Sequence, residues 1–230
     1  MCNALPMRIG LIGGTGPAGS ALGARLASVG YEVVIGSRTL ERAQEVCAEM
    51  ATRWPDHTLS ITPGDNTAAA MCDVVVLATP WDSAATTAKD LAGPLQGKVV
   101  ISMANALIRA GHEFQPLLPP RGSVAAHVQA AVPLSRVVAA FHHLPAKELG
   151  HLGEPIDSDV LICSDNSDAT KIVAAIVEKI PGCRPLDAGE LSNATAIEAF
   201  TAVLLQLNVR YKTRVAPRLT GIKSDPRASA

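Results

Sequence analysis

Three things are scarce in this sequence: aromatic residues, net charge and paired cysteines. Only 3% of the 230 residues are aromatic whereas 48% are apolar, so Ala, Val, Leu and Ile must build the core, as in a sheet covered by Ala-rich helices. The net charge of −1 gives no electrostatic reason to expect nucleic acid or an acidic membrane surface as a partner. No apolar run approaches the length of a membrane span, which argues against a membrane protein.

Disulfides and metals are not expected either. The five cysteines are odd in number and form no C-x-x-C pair, which indicates free thiols in a reducing compartment. Residues 1–6 have neither the basic start nor the apolar segment of a signal peptide, and we therefore expect a cytoplasmic protein. His142 and His143, taken with Asp157 or Cys163, match no standard spacing of metal ligands, so no metal site is predicted.

What the sequence does contain is a regular alternation of strand-like and helical patterns. Strands are predicted at residues 8–12, 32–36, 59–62, 74–78 and 99–102, and helices between them at 20–29, 40–52, 67–71 and 83–91. This order is typical of an α/β protein with a Rossmann-type, doubly wound parallel sheet. Ligands of such sheets bind beyond the carboxyl ends of the strands.

The remaining sequence predicts a smaller α/β part. Residues 109–120 are polar and Pro-rich and are interpreted as a loop. Further elements are predicted as helices at 124–131, 168–180 and 192 to about 214, and as strands at 137–141, 160–163 and 183–186. We divide the chain into a Rossmann domain (1–140), a smaller C-terminal α/β part (141–216) and a flexible tail (217–230).

A glycine-rich turn carries the clearest functional signal. Gly14, Gly16 and Gly19 form a G-x-G-x-x-G pattern directly after the strand at 8–12 and before a helix. Such a turn lets the backbone approach a pyrophosphate, which then lies on the positive end of the helix. The pattern is weak alone but specific in this strand–turn–helix context. The residues predicted to bind a dinucleotide here are Gly14, Thr15, Gly16, Pro17 and Ala18.

The residues after the second strand favour NADP over NAD. NAD-dependent folds place an Asp or Glu at this strand end, but the sequence reads Gly36-Ser37-Arg38. Glu32 lies at the opposite end of the strand, ~13 Å away at ~3.3 Å per residue. Ser37, Arg38 and Arg42 offer a hydroxyl and two guanidinium groups that suit a 2′-phosphate. The alternative, two solvated cations at a helix start, is opposed by the helix dipole.

Two more strand ends are predicted to face the cofactor. Thr79, Pro80 and Trp81 follow the fourth strand, where Pro80 stiffens a loop beside the ribose and nicotinamide and Trp81 supplies a rigid apolar wall. The same residues also fit an ordinary helix N-terminus. Ala104 and Asn105 follow the fifth strand, and small side chains beside the nicotinamide let a second flat ring stack against it.

With these residues in view, the sequence resembles the NADPH-dependent reductases of the 8-hydroxy-5-deazaflavin coenzyme, coenzyme F420. The resemblance covers residues 7 to about 213, and it is carried by stretches 13–16, 36–38, 80–81, 142–146 and 184–193. It implies a Rossmann-type fold and reversible hydride transfer between NADP(H) and the deazaflavin. It also implies a homo-oligomer, either a dimer or a tetramer.

The resemblance assigns residues as well. It implies that the 2′-phosphate is held by Thr15, Ser37, Arg38 and Arg42, that the cofactor is lined by Pro80 and Trp81, and that the deazaflavin lies near Asn105, His142, Ser192 and Asn193. In that setting His142 is expected to donate a hydrogen bond to the deazaflavin ring or to act as a proton source. The alternative is a loop histidine whose ring is satisfied by the backbone.

Two departures from the family pattern leave the hydride acceptor open. Relatives often have Asn-Pro where this sequence has Asn105-Ala106, and residues 107–121 match no part of the pattern. The alternatives are an NADP-dependent reductase of an imine, ketone, free flavin or ferric chelate, and a non-catalytic NADPH sensor. A small-substrate reductase usually adds a Lys, Tyr or Asp proton donor near the nicotinamide, and we find no such candidate.

Overall fold

The computed structural model describes residues 7–222. The first half contains β1 (Arg8–Ile12), α1 (Pro17–Ser28), β2 (Glu32–Ser37), α2 (Leu40–Arg53), β3 (Ile61–Asp65), α3 (Asn66–Ala70), β4 (Val74–Leu77), α4 (Trp81–Asp90), α5 (Ala92–Leu95) and β5 (Val99–Ser102). The second half contains β6 (Leu107–Ala110), β7 (Glu113–Pro116), α6 (Val124–Ala131), β8 (Arg136–Ala139), α7 (Ala146–Leu149), β9 (Ser158–Ile162), α8 (Ser167–Glu178), β10 (Cys183–Asp187), a 3₁₀ turn (Leu191–Asn193) and α9 (Ala194–Tyr211).

Six strands form one parallel sheet in the order β3-β2-β1-β4-β5-β8. Every neighbouring pair is parallel, from Val33 opposite Ile61 near one edge to Val99 opposite Arg136 at the other. The direction of the strand order reverses between β1 and β4, and this reversal opens a crevice at the carboxyl ends of the strands. The predicted Rossmann-type, doubly wound α/β fold is confirmed.

The sheet is buried on both faces. All four residues of β4, Val74–Leu77, are at most 3% exposed, which explains why this strand is a continuous apolar run rather than an alternating one. One apolar cluster joins the sheet to α1, α2 and α8, and another joins it to α3, α4 and α6. The first cluster includes Val160 and Ile162 of β9, so the core continues past residue 140 and the domain division there stays a prediction.

The predicted elements are largely present, with ends that differ by a few residues. The short helices α5 and α7 have no predicted counterpart, and the predicted helix from 192 begins instead with the 3₁₀ turn and ends at Tyr211. The strands β9 and β10 pair in parallel beside the main sheet, and an antiparallel bridge between Ala139 and Cys163 connects them to β8. Within residues 7–222, no helix is long and apolar enough to cross a membrane.

The predicted loop at 109–120 is wrong up to residue 116, because residues 107–116 form the antiparallel hairpin β6–β7, whereas residues 117–120 are in neither helix nor strand. Ala110 pairs with Glu113, so a two-residue turn connects the strands. That turn begins with Gly111 at φ +61°, a conformation that glycine adopts without strain. The prolines of the segment stand at or beyond the end of β7, where they do not interrupt the pairing.

The predicted flexible tail at 217–230 also needs a correction. Asp159 is fully buried and accepts the backbone N–H of Leu219 at 2.6 Å. Arg184 ion-pairs with Asp159 at 2.8 Å and donates to the Leu219 carbonyl at 2.7 Å. Burial alone would raise the pKa of Asp159, but these hydrogen bonds outweigh it and lower the pKa. The charged carboxylate therefore fixes the start of the tail, and residues 223–230 lie outside the described range.

Candidate active site

The glycine turn between β1 and α1 has the geometry that a dinucleotide site requires. Gly13 adopts φ +70°, and a Cβ on Gly14 would lie 2.8 Å from the Cβ of Leu11, so the turn closes only with glycine. A Cβ on Gly19 would lie 2.9 Å from the Cα of Gly14, which keeps α1 close to the turn. A Cβ on Gly16 would meet no atom of the described chain within 4 Å. Gly16 therefore borders open space where a pyrophosphate is expected to approach the backbone.

The N-terminus of α1 faces the same space. Gly16 is the N-cap, Pro17 stands in the first turn, and no side chain from the described residues caps the helix. The first backbone N–H groups and the positive end of the helix dipole are thus available to an anion. Together with the carboxyl end of β2 and the start of α4, the turn lines a cleft of about 770 Å³.

Two arginines beyond the carboxyl end of β2 supply positive charge to this cleft. Ser37, Arg38 and Arg42 all line it, as predicted from their spacing. Arg38 is exposed and has no hydrogen bond or ion pair within residues 7–222. Arg42 is already engaged, because its Nη1 lies 2.9 Å from Glu45 Oε2 and 3.7 Å from Glu49 Oε1. One unpaired and one paired guanidinium therefore lie beside the Ser37 hydroxyl.

Carboxylates are missing among the described residues that line the cleft. Asp65 lies opposite Ser37 in the sheet, but its carboxylate accepts the N–H of Ala68 at 2.7 Å and caps α3. An acidic residue that would bind the ribose hydroxyls of NAD is therefore replaced by cationic groups.

Sequence reasoning missed several polar residues of the cleft. Asn66, Ser83 and Thr87 line it, and Asn66 Oδ1 accepts the N–H of Gly13 at 3.1 Å, which fixes the glycine turn to the start of α3. Thr79, which was predicted, lines the cleft with a buried hydroxyl that has no hydrogen-bond partner in the described chain. A buried unpartnered hydroxyl in the wall of a cleft is free to bond a water molecule or a ligand.

The other predicted cofactor contacts divide between the cleft and the core. Pro80 lines the cleft, whereas Trp81 is half-buried and packs against the apolar cluster beside α4. Ala104 is buried in that same cluster. Trp81 and Ala104 thus contribute packing, and their contacts with a cofactor stay predictions.

His142 follows β8 and is only 5% exposed, and neither ring nitrogen has a hydrogen-bond partner among residues 7–222. Burial lowers the pKa of His142 well below the ordinary 6.5, and His143 lowers it further, while the nearby backbone of Ala140 opposes the shift without reaching hydrogen-bond geometry. The imidazole is therefore neutral near pH 7, with one N–H to donate. This state favours the predicted hydrogen-bond donor over the predicted proton source.

His143 and Asn105 are in direct contact with His142. The ring centroids of the two histidines are 4.9 Å apart in an edge-on arrangement, and burial lowers the pKa of His143 to about 4. The Nε2 of His143 lies 3.0 Å from the carbonyl of Asp159, which fixes it to β9. Asn105 Nδ2 donates to the His142 carbonyl at 2.7 Å, and Asn105 Oδ1 accepts the hydroxyl of Thr201 at 3.2 Å. Both ends of the Asn105 amide are therefore used within the protein.

Comparison with known proteins agrees with this geometry. The family model described as NADP oxidoreductase, coenzyme F420-dependent, matches residues 8–106. An F420-dependent NADP reductase of Methanocaldococcus jannaschii is 35% identical over 90% of this chain and 95% of its own length, and that of Methanothermobacter thermautotrophicus is 33% identical over 94% and 95%. The chain belongs to the family of F420-dependent NADP reductases. The solved structure of a provisionally named F420-dependent NADP reductase from Arthrobacter sp. FB24, 24% identical, supports the fold with a TM-score of 0.76 over 92% of this chain and 100% of that one.

Within this reductase family, the match to the family model contains the whole cleft. All lining residues lie between Gly13 and Met103, and the match ends at Ala106, one residue before the hairpin β6–β7 begins. The part of the chain that the family model matches is thus the part that contains the candidate nucleotide site.

The two C-terminal residues predicted to lie near the deazaflavin are not part of this reductase's main cleft. Ser192 lies in a separate surface depression beside Gln129 of α6. Asn193 is exposed, and its Nδ2 donates to the carbonyl of Ala188 at 2.7 Å. Contacts of Ser192 and Asn193 with a deazaflavin stay predictions. Asp187, the last residue of β10, accepts the N–H of Gly189 at 2.8 Å and so stabilises the turn that follows the strand.

Proposed function

We propose that this chain catalyses reversible hydride transfer between NADP(H) and coenzyme F420. The observation that carries the proposal is the single cleft in which the glycine turn, the uncapped start of α1 and the two arginines Arg38 and Arg42 meet. The F420-dependent NADP reductase of M. jannaschii, 35% identical over 90% of the chain, supports the choice of substrates. When bound, the nicotinamide and the deazaflavin supply the hydride chemistry.

The cleft fits NADP at three points. The open side of Gly16 and the N-terminus of α1 suit a pyrophosphate. Arg38, Arg42 and the Ser37 hydroxyl suit a 2′-phosphate, which NAD lacks. The unpartnered hydroxyl of Thr79 suits a ribose or an amide of the cofactor. These residues bind and orient the cofactor, and none of them is required to transfer a proton.

The acceptor side is proposed to lie toward His142. Hydride transfer between two flat rings depends on positioning, with reacting carbons ~3–3.5 Å apart. The protein therefore has to orient the rings and exclude water. A neutral, buried imidazole whose N–H lacks a partner in the described chain suits a hydrogen bond to the polar edge of the deazaflavin. Ser192 and Asn193 are proposed as further contacts on the strength of the family resemblance, whereas both ends of the Asn105 amide are already used within the protein.

Mixing the protein with NADPH and oxidised coenzyme F420 tests the proposal. Loss of the visible absorbance of the deazaflavin, with NADPH consumed in equal amount, is the expected result. Because the reaction is reversible, reduced F420 with NADP should restore that absorbance.

The alternatives are separate arms of the same experiment. Reduction of riboflavin, a ferric chelate or a cyclic imine, with F420 left oxidised, would replace the proposal with a reductase of another acceptor. Tight binding of NADPH without turnover of any acceptor would replace it with a cofactor sensor.

We further propose that the protein is a homo-oligomer, a dimer or a tetramer. Helix α9 exposes an apolar strip, because Phe200, Val203 and Tyr211 lie on one side of it and are 42%, 49% and 68% exposed. A helix of this kind is normally covered, and a second copy of the chain is the proposed cover. Light scattering on the eluting peak of a gel-filtration column should give at least twice the chain mass, and Val203→Asp should halve it. A monomer at micromolar concentration would contradict this.

The proposed compartment is the cytoplasm. The four cysteines in the described range, Cys47, Cys72, Cys163 and Cys183, carry free thiols, and burial raises the pKa of Cys47 to about 11. Such thiols are stable in a reducing compartment and form no bridge to one another. Fluorescence of a tagged protein in its native host, concentrated outside the cytoplasm, would overturn the assignment.

A further inference from the structure

The chain makes an unusual turn directly before His142. Phe141 adopts φ +64° although it is a bulky residue and only 1% exposed. A left-handed conformation is strained for such a side chain and persists only where the surroundings enforce it. What enforces the turn also determines where the imidazole of His142 points.

Three hydrogen bonds hold the backbone of this turn, in addition to the contacts of the neighbouring His143 ring with β9. The Ala140 N–H donates to the carbonyl of Ser102 at 3.2 Å, and the Leu144 N–H donates to the carbonyl of Phe141 at 3.1 Å. The third bond is the only one of them that uses a side chain: Asn105 Nδ2 donates to the carbonyl of His142 at 2.7 Å. Asn105 follows β5, so this bond ties the turn to the neighbouring strand of the sheet.

Asn105 is itself oriented by α9. The hydroxyl of Thr201 donates to Asn105 Oδ1 at 3.2 Å, and Thr201 is buried. This bond sets which end of the amide faces His142, because only the NH₂ end can donate to a carbonyl. A continuous series of bonds therefore runs from α9 through Asn105 to the backbone of His142.

The ring of His142 gains no orientation from hydrogen bonds of its own. Both ring nitrogens lack a partner among residues 7–222, and the ring meets His143 edge-on at 82°. The direction of its N–H therefore depends on the backbone turn and on the packing around the buried ring, which includes His143.

We propose that Asn105 and Thr201 are positioning residues, which fix the Phe141–His142 turn so that the imidazole N–H is set for the hydride acceptor. The inference rests on the proposed function and changes the role of Asn105 from a direct ligand contact to a support for His142. It also makes the placement of the imidazole depend on the position of α9.

Thr201→Val tests the series of bonds with little change in side-chain shape. We expect it to lower kcat/KM for F420 about tenfold, the worth of one buried hydrogen bond, while the Kd for NADPH changes less than about twofold. Thr201→Ser keeps the hydroxyl and should restore most of the loss. Asn105→Asp removes the donor to His142 and should lower kcat/KM at least as much as Thr201→Val.

The matched control is Thr170→Val on α8. Thr170 is as buried as Thr201, at 6% against 7% exposed. Its hydroxyl donates to the carbonyl of Asn166 at 3.3 Å, whereas the single hydroxyl proton of Thr201 is shared between Asn105 Oδ1 at 3.2 Å and the carbonyl of Ile197 at 3.4 Å. Among the described residues, Thr170 makes no bond toward His142. Equal losses in Thr170→Val and Thr201→Val, or an equally impaired Thr201→Ser, would overturn the proposal.

A readout without substrates separates this inference from the proposed function. In protein with ¹⁵N-labelled histidine, the NMR chemical shifts of the His142 ring nitrogens should change in Thr201→Val and remain unchanged in Thr170→Val. If the wild type leaves F420 oxidised but the His142 signals shift, the proposed function fails and the positioning role stands. If F420 is reduced and neither the kinetics nor the signals respond to Thr201→Val, the positioning role fails.

Discussion

Replacing Arg38 with alanine should remove most of the preference for NADPH over NADH. Arg38 lines the cleft and has no ion pair within the described chain. Its removal therefore breaks nothing inside the protein, and the loss falls on the ligand alone. Because NADH has no 2′-phosphate, its Kd should change little.

The magnitude follows from the state of each guanidinium. A set of charge-assisted hydrogen bonds is worth ~1.5–3 kcal/mol, so Arg38→Ala should weaken NADPH roughly tenfold to a hundredfold. Arg42 must first loosen its contacts with Glu45 and Glu49, and exposed pairs of this kind are worth up to ~1 kcal/mol. Arg42→Ala should therefore cost less, roughly threefold to thirtyfold.

Titration of the nucleotide's fluorescence on binding measures both dissociation constants at fixed ionic strength. Arg53→Ala is the matched control, since it removes the same charge from α2 but Arg53 does not line the cleft. If Arg38→Ala weakened NADH as much as NADPH, or if Arg53→Ala matched it, the assignment of the phosphate site would be refuted.

Three other predictions concern the turn, a buried arginine and a buried carboxylate. Gly16→Ala should leave the thermal midpoint unchanged and weaken NADPH, whereas Gly19→Ala, whose Cβ would lie 2.9 Å from a backbone atom, should lower the free energy of unfolding by ~1–3 kcal/mol in urea. Arg25 donates five hydrogen bonds to buried or partly buried carbonyls, so Arg25→Met should cost ~3–5 kcal/mol in the same assay. Burial raises the pKa of Glu198 from 4.5 to about 7, so the folded state holds the proton more tightly than the unfolded state. The free energy of unfolding should therefore fall as the pH rises from 4.5 to about 7. Glu198→Gln removes the titrating group and should flatten this decline.

The fold was predictable wherever the decisive signals are local. The apolar run at Val74–Leu77 and the glycine pattern at 14–19 each lie in one short segment, and both indicate the observed structure. Arg38 and Arg42 likewise both reach the cleft, because Arg38 directly follows β2 and Arg42 lies in the first turn of α2 just after it. The sequence pattern could not predict that Arg42 is ion-paired whereas Arg38 is not, because ion pairing depends on side-chain conformation.

What was missed depends on contacts between distant segments. Asn66 meets Gly13 across 53 positions, and no local pattern distinguishes it from an ordinary helix start. Leu219 is held by a carboxylate 60 positions away, although the neighbouring sequence has the composition of a flexible tail. The hairpin at 107–116 was concealed by nearby prolines, whereas the Gly-containing turn at its centre was the signal that could have revealed it.

The five hydrogen bonds of Arg25 hold one end of α1, and the other end of this helix is the proposed site of the cofactor's pyrophosphate. Arg25 stands in the last turn of α1 and is bonded to carbonyls between Glu148 and Glu154, while Gly16 starts the same helix. Because these hydrogen bonds fix the C-terminal end of α1, the helix cannot shift along its axis when an anion binds at its N-terminus. The proposed pyrophosphate site is thus pre-organised, and little binding energy would be spent on ordering it.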